Sequence, residues 1–370
     1  MNASAFRWSV YSSESLFMNK RIEIGSEFWD APLSDNADDC LNENTQFVLS
    51  GRTALELAAR DLIAERKMRS ICLPAYCCDS MISPFARLGV KIRFYDVRVS
   101  KDGAWRILSA DHGCDAVLLL DYFGFCQSET AEIAERERRR GTAVILDQVQ
   151  SYFSSSDAVL YADYTVMSWR KWFFSCAAAA TKKHGKWAVH PSRPAGEKYV
   201  DLRKTAAKQK ERYLKTGHGD KETFLDGFAQ AEELLDVDFS DYAAEEKSVD
   251  VIRKINVPFL KKRRRENAKV IYEEIQRLCD DRIRPLFTRL GKTDTPLFVP
   301  VLVNPSYRTD LRQFLINNQV YCPIHWADAK TGGGEGFYTQ ELSLVCDQRY
   351  TIEDVKREMN LIKEYFIHYV

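Results

Sequence analysis

"TAVILDQVQ", residues 142–150, decides how this chain is read. Four apolar residues, Ala143 to Leu146, run without a break into an aspartate and two glutamines. The run is too short to cross a bilayer and too continuous for a strand with one wet face. It reads as a strand buried on both faces, the habit of parallel sheets. "DAVLLLDYFG", residues 115–124, repeats the pattern and also ends in an acid, Asp121. Between them, "SETAEIAERERRR" predicts a helix with an acidic start and a basic end, as the helix dipole favours.

The same alternation extends outward. "FVLSGRTALELAARDLIAERKMRS", residues 47–70, reads as strand, turn and helix, with Leu55, Ala58, Ala59 and Leu62 as the apolar stripe. "ICLPAY" and "KIRFYDV" are further strands, and "CDSMISPFARLG" is a helix whose first half Pro84 restricts. "DYTVMSW" and "CAAAATKK" are two more strands, flanking Lys171. This order predicts an α/β fold with a mostly parallel central sheet covered by helices. Ligands in such sheets bind beyond the carboxyl ends of the strands, near Asp121, Asp147 and Lys171. The expected domains are a lead-in at 1–46, a large domain at 47–192, a polar helical connecting segment at 193–250 and a small C-terminal α+β domain at 251–370. The last includes "ENAKVIYEEIQRL", "LFVPVLV" and a terminal helix from about Ile352 to Phe366.

Lys plus Arg and Asp plus Glu both total 53, so net charge offers no reason to expect nucleic acid or an anionic membrane as partner. The basic runs at 138–140 and 261–265 lack interleaved aromatics and read as solvated faces. No apolar run is long enough for a membrane span, and "MNASAFRWSVYSSESLF" has no signal-peptide core. Ten cysteines in 370 residues are too sparse for a disulfide scaffold, and adjacent Cys77 and Cys78 lack a metal or redox spacing. Reduced packing thiols in a cytoplasmic protein are expected. His112, His184, His190, His218 and His368 show no metal-ligand spacing, so no metal is expected. "GGGEG", residues 332–336, lacks the context of a P-loop and reads as a mobile loop near the site.

Three groups carry chemistry, each with a plainer alternative. Asp147 either caps a helix or holds a loop, or it stays buried to pair with a protonated ring nitrogen. Lys171, in "MSWRKWFF" (167–174), is either a snorkelling charge or an amine nucleophile. A nucleophilic amine needs burial or nearby positive charge to shed its proton, and Arg170 and the apolar "WFF" are neighbours of that kind. The aromatics Trp169, Trp172, Phe173 and Phe174 read as packing. "SGRTA", residues 50–54, presents unpaired helix N–H groups, with Arg52 and Thr53 as added donors, and is either an ordinary cap or an anion site. Ser168 donates to a phosphate or satisfies its own backbone. Arg349, in "LSLVCDQRY", binds an anion or pairs structurally.

An anion site, a buried acid and a late strand-edge lysine, in that order, suit pyridoxal 5'-phosphate. The chain resembles the DegT/StrS family of pyridoxal-phosphate-dependent sugar aminotransferases, of the aspartate aminotransferase fold type I, as a divergent member. The resemblance spans residues 45–185 well and 250–370 more loosely. It implies that Gly51, Arg52, Thr53 and Ser168 hold the phosphate. It further implies that Asp147 faces the pyridine nitrogen, that Gln150 lies near the ring's 3-hydroxyl and that Lys171 bears the cofactor. "CPIHWAD", residues 322–328, is similar to the family's histidine-containing segment and makes His325 a substrate contact. Three features depart from the family. Ser168 and Lys171 are three positions apart instead of five, "FFSCAAAA" replaces a glycine pair, and Cys78 stands where a ring-stacking aromatic is expected, with Tyr76 nearby as the candidate aromatic contact to the cofactor.

The resemblance implies a homodimeric aminotransferase taking its amino group from a donor such as glutamate and giving it to a keto sugar, nucleotide-linked sugars included. Retention of the lysine favours transamination over the family's dehydratase branch. Two other outcomes follow from the departures and from the versatility of the cofactor: a catalytically altered relative with a regulatory or binding role, and a pyridoxal-phosphate-dependent lyase.

Overall fold

The structure is a computed structural model and describes residues 23–35, 43–99, 113–326 and 337–369, with 105–108 as backbone alone. The "GGGEG" loop, His112 and most of the lead-in lie outside the described residues. A short strand β1 (Ile24–Gly25) opens the described chain. β2 (Thr45–Val48), α1 (Gly51–Arg66), β3 (Ser70–Pro74), α2 (Asp79–Arg87), β4 (Lys91–Val99), β5 (Trp105–Leu108) and β6 (Ala116–Leu120) follow. Next come α3 (Ser128–Arg139), β7 (Ala143–Asp147), β8 (Tyr164–Ser168) and β9 (Ala178–Lys182).

Strands β2 to β9 form one sheet in the order β2-β9-β8-β7-β6-β3-β4-β5. The stretch from β8 to β4 is parallel, while β9, β2 and β5 are antiparallel to their neighbours. All five residues of β6 and of β7 are buried, as unbroken apolar runs require when helices cover both faces. Gly124, past β6, has φ +86°, and an added Cβ would sit 2.2 Å from the Thr295 carbonyl oxygen, so the chain crosses there on a glycine alone.

Two local readings are sharpened by packing. Helix α2 runs through Pro84 instead of being cut by it: Met81, Pro84 and Phe85 form its buried face, and their burial offsets the one lost backbone bond. The alanine run belongs to β9, which lies between β8 and β2. Ala178 and Ala180 face the core that α1 shares, and Ala177 and Ala179 face the one holding Trp169 and Trp172. Both faces are crowded by large elements, so only small side chains fit between them.

The rest of the chain builds two further cores. α4 (Glu197–Thr216) and α5 (Lys221–Val237) pack Tyr199, Phe224, Phe228 and Leu235 against Leu49, Phe174 and Cys176. The polar segment thus has one apolar face, seated on the large sheet's edge. α6 (Glu246–Arg253) leads to α7 (Val257–Leu278), β10 (Ile283–Pro285), β11 (Val299–Val303), α8 (Pro305–Asn317), β12 (Val320–Tyr321), β13 (Glu341–Leu344) and α9 (Ile352–His368). β10, β11 and β13 make an antiparallel sheet against α7, α8 and α9, and β1 pairs with β12. No described helix is long and apolar enough to cross a membrane. Burial pushes the Cys72 and Cys346 thiols up to about 12, which suits inert packing groups.

Leu118→Ala, at the fully buried centre of β6, is expected to lower the unfolding free energy by about 2–5 kcal/mol in urea titrations. Leu160→Ala, at a residue 59% exposed, should stay within about 0.5 kcal/mol of the parent.

Candidate active site

Strand pairing aligns the site. Leu120 stands opposite Asp147, and Asp147 opposite Val166, so β6, β7 and β8 finish at one edge. Ser168 stands opposite Ala178, and Ala178 opposite Val48. The turn after Val48 therefore starts α1 beside Ser168. The approach is close: a Cβ on Gly51 would lie 3.3 Å from the Ser168 Cβ.

A cavity of about 470 Å³ opens at this edge, between the sheet, the small domain and the segment Gly25–Phe28. Ser50, Gly51, Arg52, Asp147, Gln150, Ser168, Lys171, His325 and Arg349 all line it. At one end the first turn of α1 points its free N–H groups outward. Ser50 caps the helix by accepting from the Thr53 N–H. Among the described residues the buried Ser168 Oγ has no hydrogen-bond partner, nor does Arg52 Nη1, which stands 3.9 Å from Glu232 Oε2 while Nη2 donates to Asp236 at 2.6 Å. Two buried donors without acceptors beside a helix N-terminus are what an anion would satisfy.

Asp147 is 4% exposed, and among the described residues its carboxylate's one hydrogen-bond partner is the Val149 N–H, 2.8 Å from Oδ1. Burial pushes its carboxyl up to about 6, with the Val149 bond acting the other way. A buried acid with no cation beside it has a place for one. Gln150 uses its Oε1 to accept from the Phe123 N–H at 2.7 Å, where the backbone turns with φ 58°.

Lys171 ends a short helical turn, Trp169–Lys171, fixed by buried tryptophans. Trp172 Nε1 donates to the Val149 carbonyl at 2.9 Å, and the Trp172 carbonyl accepts from Gln348 Nε2 at 2.6 Å. The "WFF" stretch is packing. The lysine, which carries the amine, is exposed and lines the cavity. Arg170, and then desolvation, push that amine below the ordinary lysine value, while Glu27 and Glu232 oppose them.

On the small-domain side, His325 Nδ1 lies 3.0 Å from Ser343 Oγ, and its ring packs edge-on against Phe123. Arg349 lines the cavity but is committed: it pairs with Asp347 at 2.8 Å and donates to the Ser26 and Glu27 carbonyls. Its role there is to fasten the Gly25–Phe28 segment. The Thr53 hydroxyl is likewise engaged, donating to the Phe239 carbonyl at 2.7 Å. Tyr76 corrects the expectation of a cofactor-facing aromatic. Its ring is fully buried among Tyr122, Trp326 and Phe337, behind the wall, and Cys78 lines the cavity instead. Glu27, Arg203, Glu232 and Arg264 escaped the sequence reading, because nothing local in the chain marks residues brought together from such distant elements.

No protein-family model matches the chain, and no curated protein matches it. Solved structures do. Helicobacter pylori PseC, an aminotransferase involved in the biosynthesis of pseudoaminic acid, is similar at a TM-score of 0.60 and 13% identity, over 92% of this chain and 99% of that one. TlmJ, an aminotransferase from Streptoalloteichus hindustanus, is similar at 0.60 and 17% identity, over 88% and 86%. NtdA from Bacillus subtilis, with bound cofactor PMP, is similar at 0.59 and 15%, over 86% and 72%. At these identities the likeness is one of fold: the chain has the fold type I architecture of pyridoxal-phosphate-dependent enzymes.

The Asp147 carboxyl has a directional consequence. Its folded pKa, about 6, lies above its unfolded value, so its contribution to stability is complete below about pH 4 and is lost as pH rises through 6. In the cofactor-free chain Asp147→Asn is therefore expected to be the more stable form at pH 7.5, by about 2 kcal/mol, with the difference vanishing near pH 4. Urea unfolding of both proteins at the two pH values checks this.

Proposed function

We propose that this chain is a pyridoxal-phosphate-dependent aminotransferase moving an amino group from a donor such as glutamate to a keto sugar, nucleotide-linked sugars included. One observation carries the reading: Lys171, Asp147 and the unpartnered Ser168 hydroxyl border the same cavity at the carboxyl edge of the sheet. The cofactor fits these residues part by part. Its phosphate would take the Ser168 hydroxyl, the Arg52 guanidinium and the amides that open α1 at Gly51 and Arg52. Its protonated ring nitrogen would supply the cation that buried Asp147 lacks. Gln150 keeps an amide donor for the ring hydroxyl.

When bound, the cofactor supplies an electron sink that acidifies the carbon bearing the amine. The chain's own residues do the rest. Lys171 would hold the cofactor covalently and, once free as a neutral amine, would carry the proton at the donor's α-carbon. Asp147 would keep the ring nitrogen charged, a pairing that desolvation inside the cavity would strengthen. His325 faces the substrate side, its Nε2 left to meet a sugar hydroxyl. The reading extends to a cytoplasmic homodimer; the chain's zero formal charge accords with small-molecule substrates and with neither nucleic acid nor membrane as partner.

Borohydride reduction of the chain with pyridoxal phosphate, followed by peptide mass mapping, should place the label on Lys171, and Lys171→Ala should carry none. A label elsewhere, or no label, sinks the proposal. Ser168→Ala should weaken cofactor binding about tenfold, roughly 1–2 kcal/mol, while leaving thermal unfolding of the cofactor-free chain unchanged. Equilibrium titration and a melting curve read the two effects separately.

A further inference from the structure

Beside Lys171 lies a set of charges that the proposed reaction does not use. Glu27 comes from the segment after β1, Arg170 from the turn after β8, Arg203 from α4 and Glu232 from α5. Arg203 is fully buried and reaches both acids, with Nη2 2.9 Å from Glu27 Oε2 and Nη1 3.3 Å from Glu232 Oε1. Arg170 Nη1 meets that same Glu232 oxygen. Arg52 Nη1 stands 3.9 Å from the other, Oε2. The Lys171 amine, by contrast, has no hydrogen bond or ion pair to a described residue, although both acids lie close enough to bear on its protonation.

A lysine amine near two carboxylates ordinarily takes one as its ion pair and is held protonated. Here guanidinium groups have claimed both acids. We propose that Arg170 and Arg203 are positioning residues that hold Glu232 and Glu27 away from the Lys171 amine, leaving it free to act as a nucleophile. The inference rests on the role given to Lys171 above. Guanidinium suits the task because its planar fork engages two acids at once and does not lose its charge.

The electrostatics run in the same direction. Burial pushes the Glu27 carboxyl up, yet Arg203, Arg170 and Lys171 together hold it at about 2. Burial also raises Glu232, and Arg170 and Arg203 bring it below the usual range. For Lys171, the Arg170 guanidinium is the leading downward influence, and Glu27, Glu232 and the Cys78 thiol push upward. The remaining charges at the cavity are Asp147 on β7, Arg52 on α1, Arg264 on α7, Arg312 on α8 and the Asp347–Arg349 ion pair, which is internally neutral.

A double-mutant cycle at Arg170 and Glu232, both partly solvent-exposed at 17% and 33% of their side chains, tests the proposal without relying on turnover. Lys171 in the full chain, freed of any bound aldehyde, is labelled with acetic anhydride across about pH 6–11, and the midpoint is read by peptide mass mapping. The parent midpoint should fall below the ordinary value of about 10.4. Arg170→Gln should raise it by about one unit or more. Glu232→Gln alone should move it little, because that acid is already claimed, but in the Arg170→Gln background it should take back most of the rise. An unmoved midpoint in Arg170→Gln, or the same Glu232→Gln shift in both backgrounds, overturns the proposal. Should Arg170→Gln fail to fold, Arg203→Gln should raise the Lys171 midpoint and added Glu27→Gln should take back part of that rise; an unmoved midpoint in Arg203→Gln also overturns it. Failure of the catalytic reading looks different: borohydride then fixes no cofactor to Lys171 in the parent chain.

Discussion

The pairing of Ser168 with Ala178, and of Ala178 with Val48, is the constraint on which the site depends. It brings two successive strands and a third from far earlier in the chain to one level of the sheet. Because β2 stops at Val48, the chain must turn at Ser50 and start α1 next to Ser168. The helix N-terminus and the serine hydroxyl then share one small volume, and Gly51 keeps it open by having no side chain. Moving the register by one residue would reverse the faces of β9 and carry Ser168 away from the turn.

The lysine turn is secured from the opposite side. Trp172 bonds to the Val149 carbonyl within the large domain, while Gln348 and Arg264, from the small domain, both donate to the Trp172 carbonyl. Arg264 also lies over the Trp172 ring, 4.6 Å from its centroid. Lys171 therefore sits on a turn held both from the large sheet and from the C-terminal elements, with Trp169 and Trp172 as its anchors. The four alanines that replace the expected glycines serve the same packing: they leave room for α1 on one face of β9 and for the tryptophans on the other.

Charge placement at the cavity follows a single rule: each buried ion either has a partner or faces the space where a ligand would provide one. Arg349 has Asp347, and Glu27 and Glu232 have their arginines. Asp147 and Lys171 are among those with no ion pair to a described residue. Their ionisation is displaced in opposite senses for chemistry, the acid toward its neutral form and the amine also toward neutrality, so both are poised to respond to an incoming group.

Much of this was legible in the chain. The unbroken apolar runs of β6 and β7 named a parallel sheet, because a strand covered on both faces has no polar side to display. Asp147, Lys171 and "SGRTA" were visible because each stands at the end of an element whose period is clear. Tyr76 was misplaced, since sequence spacing says where a residue lies along the chain and not which side of a cavity wall its ring occupies. Arg349 was read as either an anion contact or a structural pair and Thr53 as a phosphate donor, and the fold engages them with Asp347 and the Phe239 carbonyl. The sequence by itself determined the strand and helix order and the residue types gathered at the sheet's edge. Tertiary structure alone decided which charges meet: Glu27, Arg203 and Glu232 come from separate elements, and attraction between charges depends on their distance in space, which no local pattern records.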